Sequence, residues 1–360
     1  MLLKKVETRA FRNLADQQVE LAPHTTVLFG PNGQGKTNFL EACYLLSTLR
    51  PLRAQKLVEL VRSGEEAARV SGQFQFPGGP REVEIDLRPG GRSARLDGKS
   101  VRDPDELFGG LATVSFTPDD LAVVKAGPEG RRKLLDRAVQ NRHPDHFADA
   151  RDYLRALRSR NHLLRERETG EVLASFDEPV ARLGERLRAR RIEVLEELRP
   201  HAARAFAEVA RGEAELRLEY APAAAEWPLA EALQRRLARD LERGYTSAGP
   251  HADDLAISLG DKSARAYASQ GQARAAVLAF KIGEIENLRG KQGRAPLLLL
   301  DDVSSELDPE RNAFLMSYLA QLRGQVVLTT TDPRLLSKSA AAQARFHSVS
   351  KGWIAAADPP

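Results

Sequence analysis

The sequence predicts an α/β fold in which one compact head is interrupted by a long inserted arm of helices. Three observations carry this reading. Gly30-Pro31-Asn32-Gly33-Gln34-Gly35-Lys36-Thr37 fits the phosphate-loop pattern G-x-x-x-x-G-K-[ST]. Leu297, Leu298, Leu299 and Leu300 run into Asp301 and Asp302, as in a buried parallel strand that ends in carboxylates. Roughly 265 residues lie between Lys36 and Asp301, and part of that interval has heptad spacing. A compact nucleotide kinase would keep the two motifs closer. One ATPase domain split by an insertion accounts for the distance, with head segments at residues 1–125 and 245–360 and an arm at 126–244.

The elements follow in order. Gln18 to Leu21 and Thr25 to Phe29 read as short strands, the second running into the phosphate loop. Thr37 to Leu49 reads as a helix with Leu40, Cys43 and Leu46 near one face. From Ala67 to Leu96, alternating residues such as Val83, Ile85 and Leu87, punctuated by Gly-Pro clusters, predict an antiparallel sheet layer. In the arm, Phe147, Ala150, Leu154, Leu157, Asn161 and Leu164 fall at a and d positions, and Val180, Leu183, Leu187, Val194 and Leu198 resume the spacing. Two short antiparallel helices are expected, with Asn161 setting their register. Leu278, Ile282, Ile285 and Leu288 mark a helix that opens after Ser269. Asp308-Pro309 caps another, and Gln325 to Thr330 reads as a strand. The tail Ala355–Pro360 is expected to fray.

Composition narrows the class. The chain has 360 residues, and a hydrophobic fraction of 42% permits a sizeable core. The net charge of +4 is small, but residues 131–204 hold 18 Lys/Arg against 13 Asp/Glu, so the basic surplus sits in the arm. A single cysteine, Cys43, excludes an internal disulfide and a cysteine zinc site. It is expected in the core. The amino terminus lacks the apolar run of a signal peptide, and no stretch is long enough to span a membrane. The cytoplasm is the expected setting.

The motifs define a chemistry. Glycines of the phosphate loop let backbone N–H groups face phosphate oxygens, Lys36 reaches the β and γ phosphates, and Thr37 holds Mg²⁺. Gly30, Pro31, Asn32, Gly33, Gln34, Gly35, Lys36, Thr37 and Asn38 are therefore the expected nucleotide contacts. Asp301 is the metal-side carboxylate, partly through water, and Asp302 positions the attacking water. Either aspartate alone can instead be read as a helix cap. Ser269, Gly271 and Gln272 open a helix, and a helix N-terminus favours phosphate. On its own this tetrapeptide reads equally as a plain N-cap.

The order Ser269-Gln270-Gly271-Gln272, then LLLLDD, then Ser305-Glu306-Leu307-Asp308 resembles an ABC-type ATPase head, in which signature serine and glycine complete the ATP site of the opposite subunit. The motifs GPNGQGKTNFLEA, Phe11-Arg12-Asn13, GPHADD at 249–254, YASQGQ at 267–272 and LLLLDDVSSELD at 297–308 together resemble the bacterial RecF family, relatives of the SMC proteins. Residues Phe116 to Leu121 and Lys125 to Leu135 fit the same pattern, and the short arm does too. The resemblance implies an SMC-like ABC ATPase and a homodimer that forms on ATP. It implies a clamp on double-stranded DNA at gaps or single/double-strand junctions. It also implies weak, Mg²⁺-dependent, DNA-stimulated ATP hydrolysis, a link to the RecR protein, and loading of the recombinase in DNA repair. Two positions depart from the pattern. Ala252 stands where the family usually has arginine. Thr329-Thr330-Thr331-Asp332 stands where ABC transporters carry a histidine, so γ-phosphate sensing there would fall to a hydroxyl or Asp332.

DNA contact is expected at Arg50, Arg53, Lys56, Arg62, Arg131 and Arg132, because clustered cations neutralise phosphates without reading bases. A solvated face is the alternative for any single arginine. His251 in GPHADD reads either as a functional residue or as a turn histidine. Two rivals stand beside this function: the energy subunit of an ABC-type transporter, and an SMC-like structural linker with a vestigial ATP site. The long gap between motifs and the absent histidine weigh against the first. Intact Lys36, Thr37, Asp301 and Asp302 weigh against the second.

Overall fold

The computed structural model describes residues 2–54, 56–76, 78–101, 112–210, 214–335 and 344–359. The chain forms two compact units, residues 1–119 with 285–360 and residues 120–284. The second unit thus takes in residues 245–284, which the motif order assigns to the head.

The first unit opens with β1 (Leu2–Arg9), β2 (Gln17–Glu20) and β3 (Thr25–Phe29), then α1 (Lys36–Thr48). Next come β4 (Ala68–Phe76), β5 (Gly79–Arg88), β6 (Gly91–Leu96), β7 (Lys99–Val101) and β8 (Thr113–Phe116). Six strands pair antiparallel in the order β2-β1-β4-β5-β6-β7, the layer foreseen from the alternation. Helix α1 is apolar on most sides because both sheets cover it. Phe39, Leu40, Cys43, Leu45 and Leu46 join Leu3, Val6, Phe74 and Ile85 of the antiparallel sheet in one core. Gly72 allows the close approach, since a Cβ there would lie 2.7 Å from Leu46 Cδ1.

The second unit holds α2 (Pro128–Arg142), α3 (His146–Arg165) and α4 (Glu171–Val209). A strand β9 (Leu216–Ala221), helices α5 (Leu229–Arg235) and α6 (Leu237–Arg243), and strands β10 (Asp254–Leu259) and β11 (Lys262–Ser263) follow. The sheet β11-β10-β9 is antiparallel, and this pairing draws the GPHADD segment into the same unit as the arm. Helices α3 and α4 run antiparallel, as the pairs Asp145–Arg190, Asp149–Arg186 and Arg160–Asp177 show. The seam differs from the expected one. His146, Tyr153, Leu157, Arg160 and Leu164 are buried, whereas Leu154 is 46% exposed. Asn161 does not set helix register; its Oδ1 accepts from the N–H and hydroxyl of Thr246. The reason is electrostatic. Arg160 is buried because Asp177, Asp240 and Thr246 accept from its Nε and Nη1, a pairing invisible to a hydropathy pattern.

Helix α7 (Gln270–Gln292) spans the sequence boundary between the units. The first unit then resumes with β12 (Leu297–Asp301), α8 (Pro309–Gln321), β13 (Val326–Thr330), β14 (Ala344–Ser350) and β15 (Trp353–Ala357). These complete a sheet in the order β15-β14-β3-β13-β12-β8, parallel except for β15. The expected frayed tail is corrected here: Ala355–Ala357 belongs to β15, held antiparallel on β14. Pro360 lies outside the described residues. Strands β3, β13 and β12 end side by side, so the phosphate loop, Thr330 and Asp301 meet at the carboxyl edge where open α/β sheets bind ligands.

Candidate nucleotide site

The phosphate loop needs backbone that L-residues avoid. Gly33 and Gly35 have φ of 77° and 116°, and a Cβ at Gly35 would lie 2.9 Å from Leu14 Cδ2. Neighbouring segments brace the loop. Asn13 donates from Nδ2 to the Gly33 carbonyl (3.1 Å) and accepts from Asn38 Nδ2 (2.6 Å). From the β14–β15 hairpin, the N–H groups of Lys351 and Gly352 donate to the side-chain and backbone oxygens of Gln34. Gln17 ties that hairpin to β2 by donating to the Gly352 carbonyl and accepting from Ile354 N–H.

Lys36 opens α1, is 6% exposed, and donates from Nζ to the Gly30 and Pro31 carbonyls at 2.6 and 2.9 Å. Burial lowers its pKa, while the charges of Asp302 and Asp301 oppose that shift. Thr37 Oγ1 donates to Asp301 Oδ1 at 2.7 Å, and Thr329 Oγ1 donates to the same oxygen at 2.9 Å. Thr329 is the register partner of Asp301 in the parallel pair, which places its hydroxyl there. Asp302 has left-handed backbone (φ 48°), and its N–H donates to the Thr329 carbonyl and hydroxyl. Its Oδ1 is buried without a hydrogen-bond partner. Burial raises its carboxyl pKa and the Asp301 charge adds to this, against the lowering effects of Ser305, Lys36 and Thr331.

These residues fit Mg²⁺ and a triphosphate. Thr37 and Asp301 bring two hard oxygens within 2.7 Å of each other, Lys36 sits inside the loop, and Asp302 keeps an unused acceptor. Asp332 is engaged elsewhere: its carboxylate accepts from Arg334, and its N–H donates to Thr330 Oγ1. Of Thr329, Thr330, Thr331 and Asp332, Thr329 touches both aspartates through its hydroxyl, and the Thr331 backbone reaches the Asp302 carboxyl.

The second unit carries Ser269, Gly271 and Gln272. Gln272 N–H donates to Ser269 Oγ and Ser269 N–H donates to Gln272 Oε1, a reciprocal capping box on an exposed helix start. The GPHADD segment is a structural hub. Asp253 is fully buried and accepts from Arg188, Tyr220 and Ala223 N–H. His251 is bonded to Tyr153 and to the Thr246 carbonyl, and burial lowers its pKa. Ala252 is exposed.

The expected DNA cations divide. Lys56 is exposed and Arg50 half-buried. Arg131 is corrected to a structural role: it is 4% exposed, forks onto Asp254 and donates to the carbonyls of Val123, Val124 and Ala126. Arg132 donates to the Asp253 carbonyl, and Arg62 ties Leu14 O to Asp16. Arg53 faces Asp301, with Nη1 3.3 Å from Oδ2. Glu41, which sequence reasoning missed, is 1% exposed and accepts from Arg12 Nε and Nη2 and from the N–H groups of Arg53 and Ala54. Nothing in its helical setting marks a buried acid.

Residues 2–353 match the RecF/RecN/SMC N terminal domain model. The DNA replication and repair protein RecF of Anaeromyxobacter dehalogenans strain 2CP-C is 52% identical over 98% of this chain and 99% of its own. That of Myxococcus xanthus strain DK1622 is 49% identical over 100% of this chain and 99% of its own. A solved structure of the recombination mediator protein RecF with ATPrS, in the RecFOR pathway, superposes with a TM-score of 0.88 at 31% identity, covering 99% of this chain and 98% of that one. The Smc head domain of Pyrococcus furiosus, at 16% identity and a TM-score of 0.56 over 99% of this chain and 95% of that one, shares the fold. No described helix is long and apolar enough to cross a membrane.

Proposed function

Because the chain belongs to the RecF family, within the RecF/RecN/SMC class, we propose that it is a DNA-repair ATPase that mediates recombination by closing as an ATP-dependent homodimer on double-stranded DNA. The observation that carries this reading is the 2.7 Å contact between Thr37 and Asp301, beside the unpartnered Oδ1 of Asp302. It argues for a working site over a vestigial one, since a structural linker needs neither the contact nor the buried free acceptor.

Bound Mg²⁺–ATP supplies the transferable γ-phosphoryl group and a cation that neutralises its charge. Thr37 and Asp301 hold the ion. The loop N–H groups and Lys36 hold the phosphates, Lys36 trading two carbonyls for anionic oxygens. Asp302 accepts a hydrogen bond from water at Oδ1 and orients it for attack. Its side chain is one methylene shorter than glutamate, so slow turnover is expected. Ser269, Gly271 and the start of α7 complete the nucleotide site of a second copy, the Ser269–Gln272 capping box opening to the incoming phosphate. DNA binds along its phosphates at a gap or junction, RecR is the partner protein, and recombinase loading follows.

Sedimentation with and without ATP tests the reading on wild type, Lys36→Met and Ser269→Arg, with duplex DNA in a parallel series. A dimer that needs ATP, disappears in both variants and binds duplex only when formed is the expected result. A protein that binds ATP yet stays monomeric would overturn the trans role of Ser269.

A further inference from the structure

We propose that Arg53 is an internal cation stationed on Asp301 by Glu41, and that Mg²⁺ replaces it when nucleotide binds, releasing the arginine to a DNA phosphate. The proposal rests on the reading of Asp301 as the metal-side carboxylate.

The two Asp301 oxygens are divided. Oδ1 accepts from Thr37 and Thr329, and Oδ2 faces Arg53 Nη1 at 3.3 Å. A divalent ion held by Thr37 and Asp301 would share this carboxylate with the guanidinium, and like charges on one carboxylate repel. The backbone of Arg53 is anchored while its side chain is not. Its N–H and that of Ala54 both donate to Glu41 Oε1 at 3.2 Å, and Arg12 holds Oε2 of the same buried acid. The Arg53 side chain is 36% exposed, and its other carboxylate neighbour, Asp119, is 81% exposed at 3.8 Å. The guanidinium can therefore leave for solvent or phosphate, and the cation that takes its place keeps the buried Asp301 carboxylate neutralised. Coupling is reciprocal: a DNA phosphate that draws Arg53 away strengthens metal binding, and metal binding strengthens DNA binding.

The test measures free Mn²⁺ by electron paramagnetic resonance in the presence of a non-hydrolysable ATP analogue. Arg53→Gln should bind Mn²⁺ about 2- to 5-fold more tightly than wild type, the range a partly exposed ion pair supports. Arg53→Lys should stay near wild type, and Glu41→Gln should shift in the same direction as Arg53→Gln. Duplex DNA should tighten Mn²⁺ binding in wild type and leave Arg53→Gln unchanged. Unchanged or weaker Mn²⁺ binding in Arg53→Gln, with nucleotide binding in EDTA intact, would overturn the exchange while sparing the nucleotide site. A wild-type protein that binds no nucleotide in EDTA or with Mn²⁺ would overturn the underlying reading, and the exchange with it.

Discussion

Asp302 carries opposing demands at the scale of one residue. Its carboxyl pKa is raised, chiefly by burial, so the folded state holds the proton more tightly than the unfolded state does. Above the ordinary carboxylate range the ionised form therefore weighs against folding, and this penalty fades as pH falls through the raised pKa. Asp302→Asn should melt at a higher temperature than wild type at neutral pH, with the difference shrinking in acid, as thermal melts across pH will show. The same change should cut ATP hydrolysis by about 10²-fold or more, because it replaces the carboxylate that orients and polarises water with a neutral amide; phosphate release measures this. Much of the site was legible in the chain: glycines, Lys36, Thr37 and the Asp pair have few alternative uses in that pattern. Arg53 was legible as a charge but not as a partner of Asp301, because pairing depends on a fold that joins positions far apart in sequence. Glu41 carried no signal at all.

Helix α3 makes the same point for an element. Spacing placed Ala150, Leu157 and Leu164 on its seam, but the remaining seam positions are His146, Tyr153 and Arg160, each one residue before the expected Phe147, Leu154 and Asn161. Hydropathy follows side-chain chemistry, whereas burial here follows charge pairing: His146 and Arg191 converge on Asp136, and Arg160 on Asp177 and Asp240. Substitutions separate the two registers. Leu154→Glu should change stability by no more than about 0.5 kcal/mol, as at ordinary surface positions. Leu157→Ala should cost about 2–5 kcal/mol. Arg160→Met should cost about 3–5 kcal/mol, since it leaves two carboxylates without their guanidinium. Urea denaturation followed by circular dichroism compares all three. A stability loss at Leu154 matching that at Leu157 would restore the original register.

Across the molecule, the modest net charge of +4 means that DNA affinity depends on where cations lie free rather than on their number. Binding to duplex should weaken with salt by about 0.9 logarithmic unit per phosphate contact. Lys56→Ala should reduce that slope by about 1. Arg131→Ala should leave the slope unchanged in molecules that remain folded, and cost about 3–5 kcal/mol of stability through the exposed deficit at Asp254. Anisotropy titrations at several salt concentrations distinguish these outcomes.

The brace on Gln34 also sets an order of events during synthesis. Its partner Lys351 lies 317 residues later in the chain, and the carboxylate that meets Thr37 lies 264 residues later. A nascent chain emerging from the ribosome thus displays its phosphate loop long before the hairpin that supports it or the acid that completes it. The brace and the acid are both in place only once synthesis has passed Lys351.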